Sequence, residues 1–231
     1  MIPAWLHALA WAALALGCIC ALVAALDLVR HPQTMWIMNL VWPITALFGG
    51  PLLLWLYFAH GRRDDAHDGA GPPFAVKVGK AALHCGSGCT LGDIAAEWIA
   101  FLAPTVAVWL GWHWLFGGKI FAGWVLDFLL AFLIGIVFQY FTIAPMRHLS
   151  VGAGIIAALK ADTLSLSAWQ VGMYGLMALA ALLVFPAAYG VRLEPDMPEF
   201  WFMMQLAMLC GFATSYPVNW WLLRRGLKEA M

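Results

Sequence analysis

Between Leu83 and Glu97 the chain reads Leu-His-Cys-Gly-Ser-Gly-Cys-Thr-Leu-Gly-Asp-Ile-Ala-Ala-Glu, so one imidazole, two thiols and two carboxylates fall within four helical turns. Thiolates select soft ions such as Cu(I) or Zn(II), and imidazole suits both. His84, Cys85 and Cys89 therefore form the candidate metal-ligand set, with copper as Cu(I) the first expectation and zinc the second. Cys-x3-Cys is not the paired Cys-x2-Cys of a structural zinc site, and there is no second pair to supply four sulfurs. Two buried thiols in a tight Gly-Ser-Gly turn are the alternative.

Gly86, Gly88 and Gly92 each disfavour helix by about 1 kcal/mol relative to Ala. They predict a Gly-rich loop that wraps an ion and hands over to a helix near Thr90 or Asp93. Were the segment helical instead, Cys85, Cys89, Asp93 and Glu97 would follow one row at four-residue spacing. Asp93 also reads as a helix cap with Thr90. Glu97 lies a turn deeper, where a carboxylate must be paired, protonated or wet. Asp127 falls eight residues past Lys119 inside an apolar run, and intramembrane acids default to ion or proton pathways. Asp93, Glu97 and Asp127 are thus the expected pathway, with a structural pair between Asp127 and His113 as the rival. Met146 and His148, after Pro145, are candidate additional ligands, and Lys160 with Asp162 reads as an interfacial polar pair.

The elements that must position these groups are apolar. Of 231 residues, 64% are hydrophobic and 10% charged, too little polar surface to cover a water-soluble globule. Six stretches match a hydrocarbon core of about 30 Å: Trp5–Leu26, Met35–Ala59, Ile94–Phe116, Ile120–Ala144, Ala168–Ala188 and Phe200–Leu223. Backbone in lipid must pair within its own segment, which predicts an all-α polytopic membrane protein of six transmembrane helices. The first span lacks a preceding basic residue and is too long for a signal core, so it is expected to be retained. Phe74–Leu83 reads as an amphipathic helix at the membrane surface, and Val151–Leu166 as a second such element, either flat on the interface or dipping into the bundle. The expected division is 1–59, two N-terminal spans; 60–81, a polar cytoplasmic hinge with an amphipathic helix; and 82–231, a four-helix domain carrying the Cys/His motif.

With six spans, Arg62, Arg63, Lys77, Lys80, Arg147, Lys160, Arg224, Arg225 and Lys228 share one side, against Arg30, Lys119 and Arg192 on the other. The positive-inside rule then places both termini in the cytoplasm, where Cys85 and Cys89 stay reduced. Cys18, Cys20 and Cys210 lie within spans as packing residues. Zero net charge argues against nucleic acid, and no phosphate-binding Gly loop or nucleophile elbow is present.

His84–Asp93 together with Gln139–Arg147, Lys160–Leu166 and Tyr216–Met231 resembles a bacterial integral-membrane domain family of unknown function, across Ala82–Met231. The resemblance implies a bacterial inner-membrane location and shared motif positions at His84, Cys85, Cys89, Asp93, Glu97, Lys160 and Asp162. Some relatives are joined with copper oxidases, which implies copper handling. The functional expectation is a membrane protein that transports or loads a soft metal ion, with a metallochaperone or a second copy of the chain as partner. Two alternatives stand beside it: an oxidoreductase subunit using the thiols, a metal or haem, motivated by 14 Trp and 5 Tyr, and a structural or assembly protein with no bound ion.

Overall fold

A computed structural model describes residues 1–62 and 72–228, so residues 63–71 of the expected 60–81 hinge segment lie outside the described residues. The elements are all helical: α1 (Ala4–Arg30), α2 (Met38–Leu56, continued by a π-helical turn Tyr57–Gly61), α3 (Phe74–Leu102), α4 (Pro104–Trp109), α5 (Lys119–Arg147), α6 (Val151–Ala178, continued by a π-helical turn Leu179–Val184 into α7, Phe185–Tyr189) and α8 (Pro198–Arg224). Prolines and glycines punctuate them as local chemistry requires. Pro73 precedes α3, Pro104 ends it, and Pro198 opens α8.

Ala4–Arg30, Met38–Gly61, Lys119–Arg147 and Val151–Tyr189 are long and apolar enough to cross a membrane. Their large apolar side chains face outward: Trp11, Ile19, Leu26, Leu133 and Val171 are all exposed. The polar side chains are instead drawn inward, the reverse of a water-soluble bundle.

Met38–Gly61 nevertheless does not run straight. Gly50 adopts φ 51° and ψ −133°, outside helical geometry and open to glycine alone. The chain reverses there. Trp42 packs on Tyr57 with ring centroids 5.4 Å apart, Leu47 O lies over Gly17, and Tyr57 donates to Asp27 at 2.7 Å, so the arm 51–61 returns alongside the arm 38–49. Both ends of this hairpin sit at the same end of α1. The stretch expected as a straight second span is therefore folded back on itself, and among the described residues four helical stretches, not six, are long and apolar enough to cross a membrane.

The termini follow suit. Met1 reaches Tyr189 O at 2.8 Å and His7 meets Glu199 at 2.8 Å at one end of the bundle. At the other, Phe74 packs on Trp220 and Lys228 reaches Ala81 O at 3.3 Å. Among the described residues Met1 and Lys228 thus lie at opposite ends of the bundle, unlike the shared side that six straight spans lead one to expect.

The surface placement expected of Phe74–Leu83 is corrected as well, and Val151–Leu166 enters the bundle rather than lying flat. Phe74–Leu83 and Val151–Leu166 are the opening turns of α3 and α6, unbroken. The glycines explain why. A Cβ on Gly92 would meet Ala131 N at 2.4 Å, one on Gly88 the Gly135 backbone at 3.0 Å, and one on Gly86 the Trp169 ring at 2.2 Å. In an apolar environment small residues let helix backbones approach, and here the packing against α5 and α6 outweighs low helix propensity. The Gly-rich loop expected at 86–92 is instead a helix contact face.

Candidate functional site

A continuous α3 puts Cys85, Cys89, Asp93 and Glu97 on one row, about 6 Å apart in rise. Cys85, Cys89 and Asp93 are wholly buried, as are Asp127 on α5 and Asp162 on α6.

At the N-terminal end of the row, Cys85 Sγ donates to Asp162 Oδ1 and lies 2.9 Å from Ser165 Oγ. Asn219 on α8 donates to the same Ser165 oxygen at 2.6 Å and to Ser215 O at 2.9 Å. Lys228 closes the cluster. Its Nζ lies 3.0 Å from Cys85 Sγ, 3.3 Å from Ala81 O, 3.5 Å from Ser165 Oγ and 3.6 Å from Asp162 Oδ1. Burial alone would pull this ammonium down, but the facing Cys85 and Asp162 more than offset it, and the net displacement is upward from 10.5. The chain turns Lys228 inward through Gly226 (φ 66°): Gly226 N bonds Leu223 O and Leu227 N bonds Leu222 O, a Schellman closure of α8.

His84 does not join Cys85. Adjacent helix positions diverge by about 100°, so His84 turns to α5, where Nε2 lies 3.4 Å from Thr142 Oγ1 and the ring meets Phe138. Met146 and His148 stand exposed at the end of α5 and do not enter the cluster. Among the described residues no group of three or more His, Cys, Asp or Glu is arranged to hold a metal ion, and all five cysteines are free thiols. The expected pairing of Lys160 with Asp162 is also corrected: two residues apart on a helix, they face opposite ways, Lys160 exposed and Asp162 buried against Lys228.

Further along, the hairpin tip enters the bundle. Phe48 packs edge-on against Trp169 at 5.7 Å, and Trp169 donates to Met208 Sδ at 3.4 Å. Leu47, Phe48, Thr90, Asp93, Met204, Gln205 and Met208 line a cavity of about 150 Å³ beneath the tip. Asp93 lies beside Gln170 and Asp127 beside Glu97, yet none of the four carboxylate oxygens of Asp93 and Asp127 closes a well-formed hydrogen bond. Glu97 opens with Lys119 and Glu194 into a cavity of about 70 Å³ at the C-terminal end of the row. His113, at φ 75° and exposed in the connection before α5, makes no pair with buried Asp127.

Sequence reading named the row but missed Ser165, Asn219, Gln170 and Lys228. Polar residues spaced among apolar ones on α6 and α8 were the available signal; nothing local marks Lys228 as buried.

The chain matches the family described as Domain of unknown function (DUF4396) over residues 76–228, the part that carries α3, α5, α6, α8 and the inward turn to Lys228. No curated protein and no solved structure matches it.

Proposed function

The chain belongs to the DUF4396 family, whose function is unknown, and on that premise we propose that it is an integral-membrane carrier that moves or loads a soft transition-metal cation, Cu(I) foremost. The single observation that carries this reading is the row Cys85, Cys89, Asp93, Glu97 on α3. It faces the bundle interior and is met by Asp162 at one end and Asp127 at the other.

Buried carboxylates that close no well-formed hydrogen bond are costly, and packing alone does not call for them. A positive ion passing along the row removes that cost at each step. Thiols at the entry select for softness, and carboxylates beyond them bind such an ion more weakly and let it go. The half-helices of a re-entrant hairpin ending beside the mid-row cavity are a recurrent feature of transport proteins, because irregular backbone is tolerated at depth only where protein or a cavity receives it.

Orientation follows from the basic residues. With the hairpin folded back, Arg30 joins Arg62, Lys77, Lys80, Arg147, Lys160, Arg224, Arg225 and Lys228 at one end, and only Lys119 and Arg192 remain at the other. The positive-inside rule puts the Cys85 end in the cytoplasm and the N-terminus outside. The entry donors are Cys85 and Cys89 with Asp162; His84, turned toward Thr142, is not among them.

Purified full-length protein in liposomes, with Ag(I) as a stable stand-in for Cu(I) and a trapped metal-sensitive dye, tests the reading. Wild type should pass the ion, and Cys85→Ser/Cys89→Ser and Glu97→Gln should each cut the rate at least tenfold. Equal rates in wild type and both variants would overturn it.

A further inference from the structure

Asp93 and Asp127, the acids deepest in the bundle, have no counter-charge. Asp93 has Gln170 of α6 and Glu97 near it, and Asp127 has Glu97 and Asp93; among the described residues no cationic side chain faces either. Tyr174 of α6 stands near all three acids and Cys89, but its hydroxyl donates to Trp124 O at 3.0 Å. Gln170 is 2% exposed, and neither its amide nitrogen nor its amide oxygen closes a well-formed hydrogen bond. An amide that can donate and accept therefore waits against an acid whose own oxygens are equally unengaged. The cavity that Asp93 enters carries no other formal charge: Cys18 comes from α1, Phe48 from the hairpin tip and Gln205 from α8. Neighbouring negative charges in such surroundings have nothing to offset them, so the resting arrangement is one in which protons sit on the carboxyl groups.

From Asp93 the acids step toward water. Glu97 lies one turn further along α3, about 6 Å in rise, and is half-buried where Asp93 is sealed. Lys119, Ile120, Leu193 and Glu194 line the cavity of about 70 Å³ into which Glu97 opens, and the same four residues line an adjoining cavity of about 600 Å³ that reaches His113 and Arg192. A passage from the end of the bundle that carries Lys119 and Arg192 thus leads to Glu97, and Glu97 leads to Asp127 and Asp93. Lys119 stands at its throat, with Nζ over the rings of Phe101 and Trp112 at 5.8 and 5.9 Å. It is the cation that faces Glu97, and Glu194 is the facing acid. A cation at that point offsets the charge left when Glu97 gives a proton to water, an offset that Asp93 and Asp127 lack.

We propose that Asp93, Asp127 and Glu97 form a proton-binding relay open to the extracytoplasmic face, and that the proton is the ion exchanged for the metal. This rests on the carrier reading above and names its coupling ion. When a monovalent ion arrives beside one of these carboxyl groups, the O–H bond breaks, the proton leaves to water on that side, and the carboxylate offsets the charge of the ion. On the opposite side a proton from water re-forms the O–H bond and the ion departs. Each turnover moves one ion one way and one proton the other. No net charge crosses, and no bare carboxylate is left in the bundle.

Two measurements on the wild-type full chain test the proposal. In nanodiscs, dicyclohexylcarbodiimide adds to protonated carboxyl groups in apolar surroundings, taking up the acid proton as the carboxyl oxygen joins its carbon. At about pH 8, where an ordinary carboxyl group is ionised, Asp93 or Asp127 should be modified at least tenfold faster than Glu199, which is as buried but bonded to His7 at 2.8 Å. Peptide mass spectrometry reads the difference. Equal or slower modification would overturn the proposal, and so would protection by Na⁺ at constant pH, which would make the occupant sodium. In liposomes that trap a pH-sensitive dye, Ag(I) uptake should turn the lumen alkaline, one proton leaving for each ion that enters. Ag(I) uptake without alkalinisation would overturn the exchange. The two readings separate cleanly: labelling in a protein that passes no Ag(I) would retain the acid site and discard the carrier, whereas Ag(I) flux without labelling would retain the carrier and discard the proton relay.

Discussion

Trp42 and Tyr57 hold their rings 5.4 Å apart, although an unbroken helix would carry them about 22 Å apart. Their contact is the signature of the hairpin, and it fixes the topology of everything after it. Reporter fusions check this. Fusions made in the 31–37 connection and directly after Pro73 should report the same compartment, the cytoplasm, and a tag at Met1 should report the opposite one. Opposite answers from the first two sites would restore a straight second span.

Gly92 and Gly79 lie on the same helix in opposite circumstances. A Cβ at Gly92 would strike the Ala131 backbone at 2.4 Å, and backbone cannot step aside; a Cβ at Gly79 meets nothing within 4 Å. Gly92→Ala should therefore cost about 1–3 kcal/mol through overpacking of α3 on α5. Gly79→Ala should be neutral or stabilising by up to about 1 kcal/mol, the helix-propensity gain. Thermal unfolding in detergent separates the two, and equal effects would contradict close α3–α5 packing.

The same glycines show where sequence reading reaches its limit. Gly86, Gly88 and Gly92 read as a loop because local propensity is all that a single segment displays, whereas their role is set by Trp169, Ala131 and Gly135 on other helices. The apolar runs were legible because bilayer thickness imposes their length, and the row from Cys85 to Glu97 because its spacing is helical. The hairpin was hidden: Met35–Ala59 is long enough to span, and Gly49-Gly50-Pro51 reads equally well as a kink. Lys228 was hidden for a different reason. A basic residue after a terminal helix ordinarily faces water, and only the glycine turn together with Asp162, on a distant helix, draws it inside.

Asp93→Asn distinguishes a working carboxylate from a structural one. The amide has the same shape, and the native oxygens close no well-formed hydrogen bond that the change could break. Melting temperature should hold or rise, while ion flux in liposomes should fall at least tenfold, since a neutral side chain cannot offset a passing cation. Lost stability with retained flux would make Asp93 a packing residue.

Gln205 holds the hairpin tip. The arm 38–49 ends at Gly50, so its last carbonyls have no following helical turn to receive them, and in an apolar surrounding each orphan is expensive. Gln205 Nε2 donates to Leu47 O at 2.7 Å and also approaches Ala13 O at 3.4 Å. Gln205→Leu keeps the bulk but removes the donor, which should cost about 1–3 kcal/mol, the penalty of a buried carbonyl left unpaired. Thr214→Val supplies the comparison. Thr214 Oγ1 bonds Ala168 O at 2.7 Å, but that carbonyl lies within α6 and keeps its own helical partner, so the loss there should stay near 1 kcal/mol. Because the tip borders the cavity that Asp93 enters, Gln205→Leu should also slow Ag(I) flux, whereas Thr214→Val should not. Matching melting curves and fluxes for the two variants would show that the tip needs no donor and that the hairpin is inert.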